Sequence, residues 1–288
     1  MIAEEHELSQ NIPLAYHFQM LMSKERMSGF REAILAVVPQ GGRVLELGGG
    51  TGVLSFFAAQ KAAKVWCVER LASLARKARE LLEQNPHTGQ IEVVTADAME
   101  YLPPEPVDVV ICEMLHSALL REKQVEVIAS FKKRYLGRFG GRLPVFIPEA
   151  TVLGIQPVNQ NFDFFGYRAP VSLFESSAIA DFYPVPLGQP VVYSIIQYGL
   201  DLPASISYDG KIGFDQPGSF NALRFITSNV LTINLSTKAA INWANQNLVL
   251  PLPVPMEVRP GITARVRFNY IPGSSIESLT AEIRVTED

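Results

Sequence analysis

Hydrophobic and polar positions along this 288-residue chain follow two different periods, and the change falls near Pro148. Between residues 15 and 38 the apolar side chains Phe18, Leu21, Met22, Phe30, Ile34 and Val37 recur at helical spacing, until Pro39-Gln40-Gly41-Gly42 breaks the pattern. Short apolar runs then stand at 44–47, 65–68, 91–94 and 107–111, with helical stretches such as 53–61 and 71–82 between them. Alternating strand and helix predicts a parallel sheet with helices on its faces, an α/β domain of Rossmann-like type. In such a sheet a ligand lies beyond the carboxyl ends of the strands, so Gly48, Glu69, Asp97 and Glu113 are expected to point toward one crevice.

Past Pro144-Val145-Phe146-Ile147-Pro148 an alternation of period two takes over. Ala264, Val266, Phe268 and Tyr270 stand against Arg265, Arg267 and Asn269. Likewise Leu279, Ala281, Ile283 and Val285 stand against Thr280, Glu282, Arg284 and Thr286, which predicts a further strand. Several such strands predict an all-β, barrel-like second domain. The change of period therefore divides the chain into residues 1–148 and 149–288.

Composition narrows the partners. A net charge of −4 offers no basic footprint and disfavours nucleic acid as the main partner. Cys67 and Cys112 lie inside apolar runs without metal-ligand spacing, so buried, reduced thiols are expected, with no metal and a cytoplasmic location. The acidic start, MIAEEHELSQN, is unlike a signal peptide, and no apolar run approaches a membrane span.

Candidate chemistry begins at Glu46-Leu47-Gly48-Gly49-Gly50-Thr51-Gly52, where a strand runs into a glycine loop and a helix opens. Val53 stands where a dinucleotide loop needs its third glycine, so a pyrophosphate ligand is disfavoured. The acidic-x-G-x-G-x-G pattern resembles the first motif of S-adenosylmethionine-dependent methyltransferases. That resemblance implies S-adenosylmethionine as cofactor, with Glu46 opening the motif and Gly48, Gly50 and Gly52 facing its methionine part. Glu69 would take the ribose, and Asp97 with Ala98 the adenine.

After the fourth strand, Glu113 and Glu122 bracket Met114-Leu115-His116-Ser117-Ala118-Leu119-Leu120-Arg121. Folded back as a loop, this segment turns both carboxylates to one cavity, where they can hold a guanidinium by charge-assisted hydrogen bonds. The alternative for Glu122 is an ordinary charge on a helix surface. With the two-domain pattern, the pair resembles the protein arginine methyltransferases. The resemblance implies that Glu113 and Glu122 are catalytic, that His17, Met20 and Arg26 belong to a helix covering the cofactor, and that Arg26 pairs with the methionine carboxylate. It also implies that Asn242-Trp243 stands for the family's Thr-His-Trp loop, and that two copies pair through an arm of the barrel. The aromatic stretch at 161–183, with Phe162, Phe164, Phe165, Tyr167, Phe174, Phe182 and Tyr183, is the segment in question.

Three departures bear on the acceptor. The family's paired tyrosines ahead of His17 are absent, with Glu7 and Asn11 at that spacing; Trp-Met-Gly-Tyr after the first glutamate is replaced by Met114-Leu115-His116-Ser117; and the His of Thr-His-Trp is Asn242. The acceptor is thus expected to be arginine in a protein or peptide, or a small guanidinium-like molecule. The competing readings are a small-molecule N- or O-methyltransferase with His116 as general base, and a non-catalytic scaffold that keeps the cofactor.

Overall fold

The computed structural model describes residues 12–175, 183–234 and 239–287. Glu7, Asn11 and Phe182 lie outside the described residues. Two helices, α1 (Leu14–Met22) and α2 (Lys24–Val37), precede β1 (Arg43–Leu47), α3 (Val53–Ala59), β2 (Lys64–Glu69), α4 (Ala72–Glu83), β3 (Ile91–Thr95), β4 (Val109–Cys112), α5 (Gln124–Phe139) and β5 (Val145–Ile147). The one helix expected over 15–38 is interrupted at Ser23, whose backbone is extended. The half before the break buries none of its residues: Phe18 and Met22 are more than half exposed, so their helical spacing marks a face of α1 turned outward.

The sheet is parallel throughout, in the order β3-β2-β1-β4-β5. Val44, Leu45, Leu47, Val65, Val68, Val110 and Ile111 are completely buried. Residues of that kind on successive positions require cover on both faces, which the helices provide. The chain builds outward from β1 to β3 and then returns to the other side of β1 with β4. That reversal opens a crevice at the carboxyl ends of β1 and β4. The register pairs Leu47 with Cys112, which places Gly48 directly beside Glu113.

The second half is strand-rich, and after its first strand, β6 (Ala150–Asn159), come the short β7 (Asp163–Phe164), β8 (Tyr167–Arg168), β9 (Leu173–Phe174) and β10 (Val185–Pro186), then β11 (Val191–Gln197). The longest strand, β13 (Gly218–Asn234), is flanked by β6 and β15 (Leu248–Val258), with β14 (Ala239–Ala244) continuing along its far end. β12 (Ile206–Gly213), β16 (Thr263–Tyr270) and β17 (Arg284–Glu287) form a further antiparallel sheet. Along β16 the expected alternation holds, with Ala264, Val266, Phe268 and Tyr270 buried and Arg265, Arg267 and Asn269 exposed. Inside, Phe268 packs edge-on to Tyr193 with ring centroids 5.1 Å apart and meets Phe225 at 5.4 Å.

One expectation fails here. Residues 276–282 form a helix, α6 (Ile276–Glu282), and only 284–287 are strand. The alternation concealed a helical set, Ile276, Leu279 and Ile283, all buried. Ser275 caps the helix by accepting a hydrogen bond from the Ser278 N–H, a local signal that outweighs the period of two.

Candidate active site

A cavity of about 940 Å³ opens at the carboxyl ends of the strands. Its floor is the glycine loop. Gly48, Gly50 and Gly52 hold φ of +79°, +55° and +82°, the left-handed region that side chains avoid. Gly49 is required for a different reason: a Cβ there would sit 2.3 Å from the Cys67 sulfur. A Cβ on Gly50 would meet the His17 ring at 3.0 Å, so α1 closes directly over the loop.

Glu69, buried at the end of β2, receives the Gly50 N–H at 3.0 Å on Oε2 and the Leu71 N–H at 2.8 Å on Oε1. Glu46 is also buried and accepts both the backbone N–H (2.9 Å) and the hydroxyl of Ser55, tying the loop to the first turn of α3. Burial pushes its carboxyl up to about 7 against those two hydrogen bonds. Asp97 and Ala98 line the same wall, with Asp97 Oδ1 accepting the Met99 N–H at 2.8 Å. Met20 lines it from α1.

His17 and Arg26 line this space, and among the described residues their buried nitrogens His17 Nε2 and Arg26 Nε have no hydrogen-bond partner. Burial, and next the charge of Arg26, hold the His17 imidazole below its ordinary pKa; a bond to the Ile12 backbone acts the other way. A glycine floor, a strand-end carboxylate and uncommitted donors suit a ligand with hydroxyl and carboxylate groups. Among the described residues no group of His, Cys, Asp and Glu is arranged to hold a metal ion.

The other side of the cavity belongs to the loop after β4. Glu113 forms an ion pair with Arg26, whose guanidinium lies over the rings of Phe30 (5.5 Å) and Trp243 (5.8 Å), which also touch one another. Arg26 therefore stands at the junction of the two halves rather than wholly on the cofactor side. Burial pushes the Glu113 carboxyl up, opposed by Arg26. Glu122 lines the same cavity, and burial together with the charge of Glu113 pushes it up to about 8 against Arg26 and Arg121.

Gln124, at the start of α5 and fully buried, fixes the backbone on both sides of Glu113: its Oε1 accepts the Met114 N–H at 2.9 Å, and its amide donates to the Cys112 carbonyl at 2.7 Å. Sequence reasoning did not find it, since nothing in a lone Gln beside Glu122 announces such a role. The loop itself takes three left-handed residues that are not glycine, Ala118, Leu119 and Arg121, at φ of 56°, 55° and 63°. Strain of this kind persists only where neighbours over-determine it. The barrel does so here. Ala118 N–H donates to Thr227 Oγ1 at 2.7 Å, Tyr270 OH donates to the Ala118 carbonyl at 2.9 Å, and Asn245 donates to the Leu115 carbonyl at 2.9 Å. Ser117 OH donates to the Gln246 carbonyl at 2.6 Å, and Arg121 N–H to that of Ser274 at 2.8 Å.

Of the remaining sequence candidates, Trp243 faces the cavity from β14 while its neighbour Asn242 is exposed and does not line it. Adjacent strand residues point to opposite faces, so both could not enter from this strand. His116 lines the cavity edge-on to Phe174, centroids 5.4 Å apart. Burial, helped by Arg121, lowers its pKa to about 4. The aromatic stretch divides three ways: Phe162 is buried in the barrel, Phe174 reaches the cavity, and Phe165 and Tyr167 stand in solvent.

Residues 44–135 match the methyltransferase domain family. An uncharacterized protein of Methanothermobacter thermautotrophicus is 29% identical over 93% of this chain and 97% of its own length. The protein arginine N-methyltransferase PRMT10 of Arabidopsis thaliana is 31% identical over 60% of this chain, which spans 46% of that longer protein. In structure, the Trypanosoma brucei PRMT1 enzyme–prozyme complex with AdoHcy superposes with a TM-score of 0.75 over 96% of this chain and 98% of that one, at 17% identity. With the glycine loop and strand-end acids in place, the chain is an S-adenosylmethionine-dependent methyltransferase. Within that class it is similar in sequence to protein arginine methyltransferases over 60% of its length, and it shares the two-part fold of the solved ones.

Proposed function

We propose that the acceptor is a guanidinium nitrogen, held by Glu113 and Glu122, in a protein, a peptide or a small molecule. The observation that carries this reading is the carboxylate pair itself: Glu122 faces the cavity close enough to Glu113 for that charge to push its pKa up, while Arg26 is the ion-pair partner of Glu113. A planar cation between the two would relieve that repulsion and satisfy both by charge-assisted hydrogen bonds.

S-adenosylmethionine, when bound, supplies an electrophilic methyl on a sulfonium. Gly48, Gly50 and Glu69 would hold it from below, with His17, Met20 and Arg26 above and Asp97 with Ala98 at the far wall. The chain's further work is orientation and charge. Glu113 fixes the acceptor's plane, Glu122 offers a carboxylate able to take up the proton released as the nitrogen is methylated, and Trp243 walls the pocket. His116, its pKa lowered to about 4 by burial and then by Arg121, is a feeble base, which disfavours it as the catalyst for a hydroxyl acceptor.

We place the reaction in the cytoplasm on the strength of two buried free thiols, and divide the two working parts at Pro148. Among the described residues no helix is long and apolar enough to cross a membrane. We read the exposed Phe165 and Tyr167 as a dimer contact, the partner being a second copy. The experiment for the acceptor is transfer of labelled methyl to guanidine compounds and to matched alcohols. Label on the guanidine alone is expected; label on the alcohol alone overturns the assignment.

A further inference from the structure

Arg121 lines the same cavity as Glu122, His116 and Phe174, yet a clamp for a cation has no use for its charge. Among the described residues its guanidinium forms no salt bridge, whereas Arg26 pairs with Glu113 and the neighbouring Lys123 with Glu126 at 3.4 Å. Its charge nevertheless reaches both neighbours, lowering the pKa of the His116 imidazole and opposing the upward shift of Glu122.

The mounting is rigid. Arg121 is half-buried and held at φ +63°, a conformation that Gly or Asn would adopt more readily. It is kept there by its own N–H to the Ser274 carbonyl at 2.8 Å and by the Gly273 N–H to the Leu119 carbonyl at 2.8 Å. The backbone is thereby set, so the Arg121 side chain springs from a defined point on the rim of the cavity that it lines. A guanidinium on the cavity wall with no ion-pair partner among the described residues, next to two carboxylates that take a cation, is complementary to a molecule carrying both signs.

We propose that the acceptor is a small guanidino acid: Glu113 and Glu122 hold its guanidinium, and Arg121 forms a forked pair with its carboxylate. The edge-on rings of His116 and Phe174 offer an apolar wall for the methylene stem between the two charges. A cavity of about 940 Å³ that also takes the cofactor leaves space of small-molecule size. This rests on the guanidinium reading above and adds to it the second half of the acceptor.

The test compares guanidinobutanoate with butylguanidine, the same stem with and without the carboxylate, and both with an arginine peptide capped at each end. Methylation is measured at pH 9, where Glu122 is ionised, for the native enzyme, Arg121→Gln and Arg121→Lys. The native enzyme is expected to favour the acid over butylguanidine by about tenfold or more in kcat/KM, the size of one charged hydrogen-bonded contact. Arg121→Gln brings that ratio close to one, mainly through KM, and Arg121→Lys restores part of it. Equal use of acid and butylguanidine, or an equal loss on both in Arg121→Gln, overturns the carboxylate contact and leaves the guanidinium clamp standing. Preference for the capped peptide overturns the small-acid assignment. Methylation of none of the guanidines overturns the clamp and this proposal together.

Discussion

The two halves of the cavity are built in opposite ways. On the cofactor side every polar contact that shapes the floor is short in sequence: Ser55 reaches Glu46 across nine positions, and Gly50 reaches Glu69 across 19. On the acceptor side the loop is fixed by residues 109 to 152 positions away, Thr227, Gln246, Asn245 and Tyr270. One half is a motif and the other is an assembly. The floor of the cofactor side should therefore tolerate damage to the barrel, and the acceptor side should fail whenever the barrel shifts.

The largest effect should come from the carboxylates. Glu113→Gln and Glu122→Gln are each expected to lower kcat by about 100- to 1000-fold, the scale for losing a group that faces developing charge. Calorimetry with S-adenosylhomocysteine should meanwhile show nearly native affinity. A parallel loss of cofactor binding in Glu122→Gln would merge the two halves.

Gly50→Val strikes the other half. The φ of +55° and the His17 ring 3.0 Å from a Cβ both oppose the change, so cofactor affinity should drop by about 10- to 100-fold. Native affinity in this variant would remove the loop from the binding site.

Tyr270→Phe tests the long-range tether. The hydroxyl donates to Ala118 and sits 2.8 Å from the Tyr193 hydroxyl, so losing it should cost about 1–3 kcal/mol of stability. Thermal unfolding should show that loss, and kcat should fall while cofactor affinity holds.

A subtler effect concerns pH. Below the ordinary carboxylate value of 4.5, Glu122 is protonated whether the chain is folded or not. Between 4.5 and about 8 the unfolded chain releases that proton and the folded one keeps it, so stability falls as pH rises through this window. Activity should rise over the upper part of the same window as the clamp ionises. Unfolding curves at pH 6 and pH 9 should therefore show a smaller decline for Glu122→Gln than for the native enzyme.

The smallest effect on folding is expected from Phe165→Ser with Tyr167→Ser, at about 0.5 kcal/mol or less, since both rings stand in solvent. Sedimentation should nonetheless show a dimer becoming a monomer of 31.8 kDa. A native monomer at micromolar concentration would end the arm reading.

What the sequence showed and what it hid follow from the same contrast. The run from Glu46 to Gly52 and the strand-end Glu69 are readable because backbone geometry and local hydrogen bonds dictate them in place. Glu113 and Glu122 are readable as a pair. Asn245 and Tyr270 are not, because their partners lie in elements that only the fold brings near, and Gln124, although just 10 and 12 positions from its partners, is a lone Gln that no pattern marks. Asn242 was misplaced by one strand residue, enough to turn it out of the cavity. The helix at 276–282 was hidden because Leu279 and Ile283 satisfy both periods, and Ser275 decided between them.

The tether from Tyr270 to Ala118 also sets a time at which the enzyme can first work. Synthesis delivers the chain from its amino end at about 5–20 residues per second, so Tyr270 emerges roughly 8–30 s after Ala118, from which it is separated by 152 positions. The cofactor half can form during that interval from residues already outside the ribosome. The acceptor loop cannot, since its left-handed residues wait for the last barrel strands to arrive. A nascent chain is thus able to load its methyl donor early and has no formed acceptor site until Tyr270 has emerged.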